Sequence, residues 1–329
     1  MFAGRLGTGG TLLVAALAAG ACGGGDDSGS TDLTPAQAET VGQAAADQVG
    51  GLAAGLTHFT TPGVGGLGAG FFSADAPGGA VVVRTLGRLH PAVAAGLGRI
   101  RAGDCTPTQS DSTDTDHDGI PDNNTISFTA GNCSFDDTTD VGMPVTIAVS
   151  GTVQLLDTDG ATVFYGYHVG VASLTVTVTD TSGNTVAAGL NGTLDASVAG
   201  DQATTSENLT SGLRLNGSKL YGDHTSLVVS YIPTGGTISP SAMQLPAGNL
   251  TLTGGYAWAG QLGSVKGDWS FVLDTPTPLS YDGSCDDDQY VFGSGQLKGA
   301  INLRRTIGFE VDYSGCGVPP TVTVFRPTA

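Results

Sequence analysis

Val145-Thr146-Ile147-Ala148-Val149-Ser150-Gly151-Thr152-Val153-Gln154-Leu155 alternates apolar and polar residues along most of its length. The odd positions Val145, Ile147, Val149, Val153 and Leu155 are apolar, and the even ones are Thr146, Ala148, Ser150, Thr152 and Gln154. A period of two is the signature of a strand with one dry face and one wet face. The pattern continues downstream. Tyr165, Tyr167, Val169 and Val171 keep one phase, and Leu174, Val176 and Val178 take the other. A one-residue bulge near Ala172-Ser173 absorbs such a shift. Ser182-Gly183-Asn184 predicts a turn, and Val186 to Val198 predicts the returning strand. Further strand-like runs follow at 213–215, 227–231, 250–258, 265–273, 290–303, 307–313 and 321–325. Short turns between runs favour antiparallel neighbours. Roughly ten strands, several of them long, do not stay a flat open sheet. The expected fold is therefore mainly β: long antiparallel strands in a meander barrel or a two-layer sandwich.

Upstream of the strands the period is different. Thr34-Pro35-Ala36-Gln37 has an N-cap, a proline at the first helical position and a glutamine at the third. Val41, Ala45, Val49, Leu52 and Leu56 follow at helical spacing, and Leu86, Leu89, Val93, Leu97 and Ile100 form a second stripe. One or two helices are expected over residues 34–104, ahead of a β domain at 134–329.

Between these regions lies Cys105 to Cys133, a stretch that contains Asp114-Thr115-Asp116-His117-Asp118-Gly119-Ile120-Pro121-Asp122. Ca²⁺ takes six to eight oxygen ligands, and acids at alternate positions of a turn can aim several carboxylates at one centre. Asp114, Asp116 and Asp118 supply such acids, and Gly119 stands where the turn is sharpest. Ile120 offers a backbone carbonyl, Asp122 a further carboxylate, and Thr125 the closing position. The run resembles a thrombospondin type 3 repeat and, more loosely, an EF-hand loop. That resemblance implies bound Ca²⁺. Thr125 stands where the pattern has an acid, so the implied affinity falls in the weak extracellular range, roughly 10⁻⁴–10⁻³ M.

The first residues bear on the compartment. Met1–Ala21 holds one basic residue, Arg5, and then an apolar run too short to span a bilayer. Ala19-Gly20-Ala21-Cys22 resembles a bacterial lipobox. That resemblance implies a signal peptide at 1–21, Cys22 carrying palmitate-type acyl chains, and a tether at 22–33 rich in glycine, serine and aspartate. Two or more acyl chains anchor a protein stably to a membrane. Gly23 stands where an aspartate tends to mark inner-membrane retention, so the outer membrane is the implied address.

Four cysteines remain besides Cys22, an even number that outside the cytoplasm suggests disulfides. Of the three pairings, the local ones are expected: Cys105–Cys133 and Cys285–Cys316. A loop of about thirty residues closed this way is worth roughly 3–4 kcal/mol in the chain-entropy model.

Composition narrows the function classes. A formal charge of −18, with 12 basic against 30 acidic residues, opposes nucleic-acid binding. Aromatics are 6% and form no interfacial belts, which argues against a membrane-spanning barrel. The sequence has no His-Glu-x-x-His, no Gly-x-Ser-x-Gly and no phosphate loop, and the histidines are scattered. The expectation is a non-catalytic, membrane-anchored binding or structural protein with an unidentified envelope partner. The alternative is a carrier that holds a hydrophobic ligand inside an apolar barrel.

Overall fold

The computed structural model describes residues 105–110, 113–117, 120–137, 144–160, 166–235, 247–262, 265–281, 292–302 and 306–325. The expected signal peptide, Cys22, the tether and the helices of 34–104 lie outside the described residues. Among the described residues thirteen strands run in chain order: β1 (Thr108–Gln109), β2 (Asn123–Phe128), β3 (Ser134–Asp137), β4 (Val145–Asp157), β5 (Gly166–Asp180), β6 (Thr185–Ala199), β7 (Gln202–Leu215), β8 (Ser218–Pro233), β9 (Gly248–Leu262), β10 (Val265–Tyr281), β11 (Phe292–Asn302), β12 (Thr306–Tyr313) and β13 (Thr321–Phe325). The described residues are thus mainly β and antiparallel.

All thirteen belong to one sheet. From β4 to β13 each strand pairs with the next in sequence, so the topology is a meander. The edge of β4 is shared. Its second half pairs with β2 and its first half with β3. No ladder among the described residues joins the first strand to the last.

The period of two becomes burial. Val145, Ile147, Val149, Val153 and Leu155 of β4 are at most 5% exposed. The same holds for inward positions on each strand from β5 to β8, such as Val176, Leu190, Leu209 and Val229. The buried side chains form one cluster that reaches from Ile126 in β2 to Tyr313 in β12, with Val322 of β13 packed against it. At about 25 cal/mol per Å² of apolar surface, this single core dominates the stability of the domain.

The phase shift in β5 is a bulge. Val171 pairs with Gly192 and Leu174 with Leu190, so Ala172 and Ser173 together oppose Asn191 alone. Ser173 takes a positive φ of 52°, and its amide donates to Asn191 Oδ1 at 2.6 Å. Turn chemistry sets register elsewhere. Asp180 Oδ1 accepts the amides of Ser182 and Asn184, both at 2.8 Å, around Gly183. The two-residue Asn216-Gly217 loop joins β7 to β8 with both residues at positive φ, the geometry that matches strand twist.

Four strands carry a mid-strand glycine at φ between +119° and +148°: Gly151, Gly192, Gly254 and Gly295. A Cβ at Gly254 would collide with the carbonyl of Ser226 and lie 2.8 Å from Leu227 Cα on β8. Glycine kinks of this kind bend a sheet where it must turn a corner.

Candidate metal centre

The stretch after Cys105 is held from both ends. Cys105 and Cys133 are disulfide-bonded, with Cα atoms 4.0 Å apart. Thr129 and Asn132 build the turn that delivers Cys133: the Thr129 amide donates to Asn132 Oδ1 at 3.0 Å, and the Cys133 amide to the Thr129 carbonyl at 2.9 Å. Cys316 is disulfide-bonded as well, and Cys285 lies outside the described residues.

Inside this loop the acids take different jobs. Asp122 closes the base. Its amide donates to the Thr113 carbonyl at 2.9 Å, and its Oδ1 accepts the Thr115 amide at 2.9 Å. Asp114 Oδ1 accepts the His117 amide at 2.8 Å, where His117 sits at φ 63°. The side chain of Ile120 is fully buried in the core. Thr125 belongs to β2, where its amide donates to Ser110 Oγ at 2.9 Å. Asp118 lies outside the described residues.

Asp116 points elsewhere, toward the turn after β4. One carboxylate oxygen each from Asp116, Asp157 and Asp159 lies within 4.8 Å of the others. Backbone bonds fix the approach. The Asp157 amide donates to the Pro121 carbonyl at 3.2 Å, which ties the end of β4 to the loop. Asp157 Oδ1 accepts the Asp159 amide at 2.9 Å, folding the turn so that both acids face one way. Of the expected ligand set, then, the structure brings Asp116 together with two acids that the alternating pattern of the loop does not contain. Asp157-Thr158-Asp159-Gly160 has the same acid-x-acid-glycine grammar in miniature, and that was the available signal.

Three carboxylates this close repel. At 4 Å a like-charge pair costs about 1 kcal/mol in bulk water, and more where the site is partly buried. A divalent cation reverses the sign of that term. An all-oxygen donor set suits hard cations, and irregular carboxylate clusters suit Ca²⁺ better than Mg²⁺, which demands a near-ideal octahedron.

The remaining polar clusters lie along the strands. On the wet face, His168 Nδ1 lies 2.6 Å from Asp195 Oδ1, and Ser206 Oγ donates to Asp195 Oδ2 at 3.5 Å. The carboxylate stands between the imidazole and the hydroxyl. That is the wrong order for a base-activated serine, in which the imidazole must touch the hydroxyl. His224 Nε2 lies 2.8 Å from Asn208 Oδ1. Ser211 of β7 is buried, and its hydroxyl donates to Asp223. Comparison with family models, with curated proteins and with solved structures returns no match to this chain.

Proposed function

We propose that this protein is a calcium-stabilised, lipid-anchored protein of the cell envelope with a non-catalytic binding or structural role. The observation that carries the calcium reading is the convergence of Asp116 with Asp157 and Asp159 across two separate turns. One cation there cross-links the loop before β2 to the turn after β4 and adds to the tie made by the Cys105–Cys133 disulfide. The lipobox-like Ala19-Gly20-Ala21-Cys22 supports the anchor, with the outer membrane as its address.

The unbroken ladder from β4 to β13 and the repeated glycine kinks favour an incompletely closed barrel over two separate layers. Most of its described core side chains are packed to near-zero exposure, with Tyr167, Val186, Tyr281 and a few others half-buried at the margins. Side chains that line a ligand cavity keep surface open to it, so this packing supports a filled core rather than a carrier. The binding surface on this reading is therefore external.

Thermal unfolding of the acylated protein tests the proposal together with membrane fractionation. Millimolar Ca²⁺ is about 1–10 Kd for a site of the weak extracellular affinity implied by the loop, which contributes about 0.4–1.4 kcal/mol and is expected to raise Tm by roughly 1–5 °C. Cys22→Ala is expected to move the protein from the membrane fraction to the soluble one. A Tm indifferent to Ca²⁺ removes the metal from the account. A Cys22→Ala protein that stays with the membrane removes the anchor.

A further inference from the structure

Asn124 is the second residue of β2, it is 0% exposed, and its Oδ1 has no hydrogen-bond partner. Its amide nitrogen reaches Gln109 Oε1 at a long 3.5 Å. A buried carbonyl oxygen left without a donor is destabilising, and native structures keep such groups where something unseen satisfies them. One member of the carboxylate trio, Asp157, lies on the strand that pairs with β2. Asn124 pairs with Leu155 across the β2–β4 ladder, so its side chain shares the face of Leu155 and of Asp157 two residues on. Diagonal neighbours on one face of an antiparallel pair have Cα atoms about 7–8 Å apart. Two side chains the length of Asn and Asp can meet one ion across that gap.

We propose that Asn124 Oδ1 is a ligand of the same divalent cation as Asp116, Asp157 and Asp159. This deepens the calcium reading above and rests on it. A neutral amide oxygen among carboxylates is an ordinary Ca²⁺ donor, and a site with too few acids at its own loop positions gains from one supplied by a strand. The assignment also explains why an asparagine stands at an inward position in line with Ile126 and Phe128 of the same strand, both buried and apolar. The ion then sits at the rim of the core and clamps β2, β4 and the acidic loop together.

Calcium titration calorimetry on the full chain, with thermal unfolding in chelator and in calcium, separates the outcomes. The variants are Asn124→Ala and Asn124→Asp, with Asp157→Asn as the control for the trio. On this proposal Asn124→Ala weakens Ca²⁺ binding about tenfold or more, the size of step by which ligand sets tune such sites. Its Tm in chelator is unchanged or higher, because an unpaired buried oxygen has gone. Asn124→Asp keeps the site, enlarges the calcium-dependent rise in Tm, and lowers Tm in chelator. If Asn124→Ala binds Ca²⁺ as the wild type does while Asp157→Asn does not, the trio is a metal site and Asn124 is no part of it. If the wild type itself gives no heat with Ca²⁺, the calcium reading and this assignment fall together. Should Asn124→Ala not fold, Asn124→Asp decides alone: unchanged calcium affinity and an unchanged calcium-dependent rise in Tm overturn the proposal.

Discussion

Asp180 shows how much one carboxylate organises at the tip of a hairpin. The Asn184 side-chain amide donates to its Oδ2, and the Asn184 and Ser182 amides donate to Oδ1, all at 2.8 Å. Those donors, the Asn184 side chain first, hold its carboxyl below the ordinary carboxylate range. A depressed value in the folded state means that the unfolded chain takes up the proton first. The stabilisation is therefore fully present above about pH 4 and is lost as pH falls through the lower folded value. Asp180→Ala is expected to have a lower Tm than the wild type at pH 7. The two melting curves should converge as the pH is lowered below about 4. Tyr231 works in the opposite direction. Burial, and then the neighbouring Tyr281, push its hydroxyl up to about 12. At the residue scale the sequence showed the acids and the turn residues well. Ser182-Gly183-Asn184 read directly as a turn because its chemistry is local. Asp157 and Asp159 did not read as neighbours of Asp116, because the β2–β4 ladder and the Asp157–Pro121 bond join segments about forty residues apart in the chain.

At the scale of the element, the alternation in Val145–Leu155 was enough to assign β4, its dry face and its antiparallel neighbours. The phase change at Ala172-Ser173 was enough to place a bulge, since slipping by one residue moves every side chain to the other face. The kinks were less legible. Gly151, Gly192, Gly254 and Gly295 look like any of 53 glycines until φ and the adjacent strand are seen. These positions differ sharply from open ones in what they tolerate. Gly254→Ala is expected to destabilise the fold by about 2–4 kcal/mol, through strain at positive φ and collision with β8. Gly131, where a Cβ would meet nothing within 4 Å, should accept alanine within about 0.5 kcal/mol. Urea unfolding of the two variants measures the contrast, and equal effects would remove the kinks from the account of curvature.

Among the described residues, the sheet from β4 to β13 is a meander, and its organisation changes at the end where the chain enters it. Its first strands are short, and β2 and β3 divide the edge of β4 between them. That divided edge has fewer ladder bonds to hold it than the long strands that follow. The disulfide, the Asp122 bonds and the acidic trio all fall there. The disulfide and, on the calcium reading, the acidic trio tie the segments that share this edge. The sequence made the cysteines and the acidic loop conspicuous because both are compositional signals. The joint between loop and sheet stayed hidden because it depends on contacts far apart in the chain. The most direct test is titration calorimetry of Ca²⁺ into the wild type, Asp157→Asn and Asp114→Asn. The account predicts heat in the wild type at millimolar Ca²⁺ or below, lost in Asp157→Asn and largely kept in Asp114→Asn. Binding that survives Asp157→Asn and disappears with Asp114→Asn would put the ion within the loop alone and contradict the clamp.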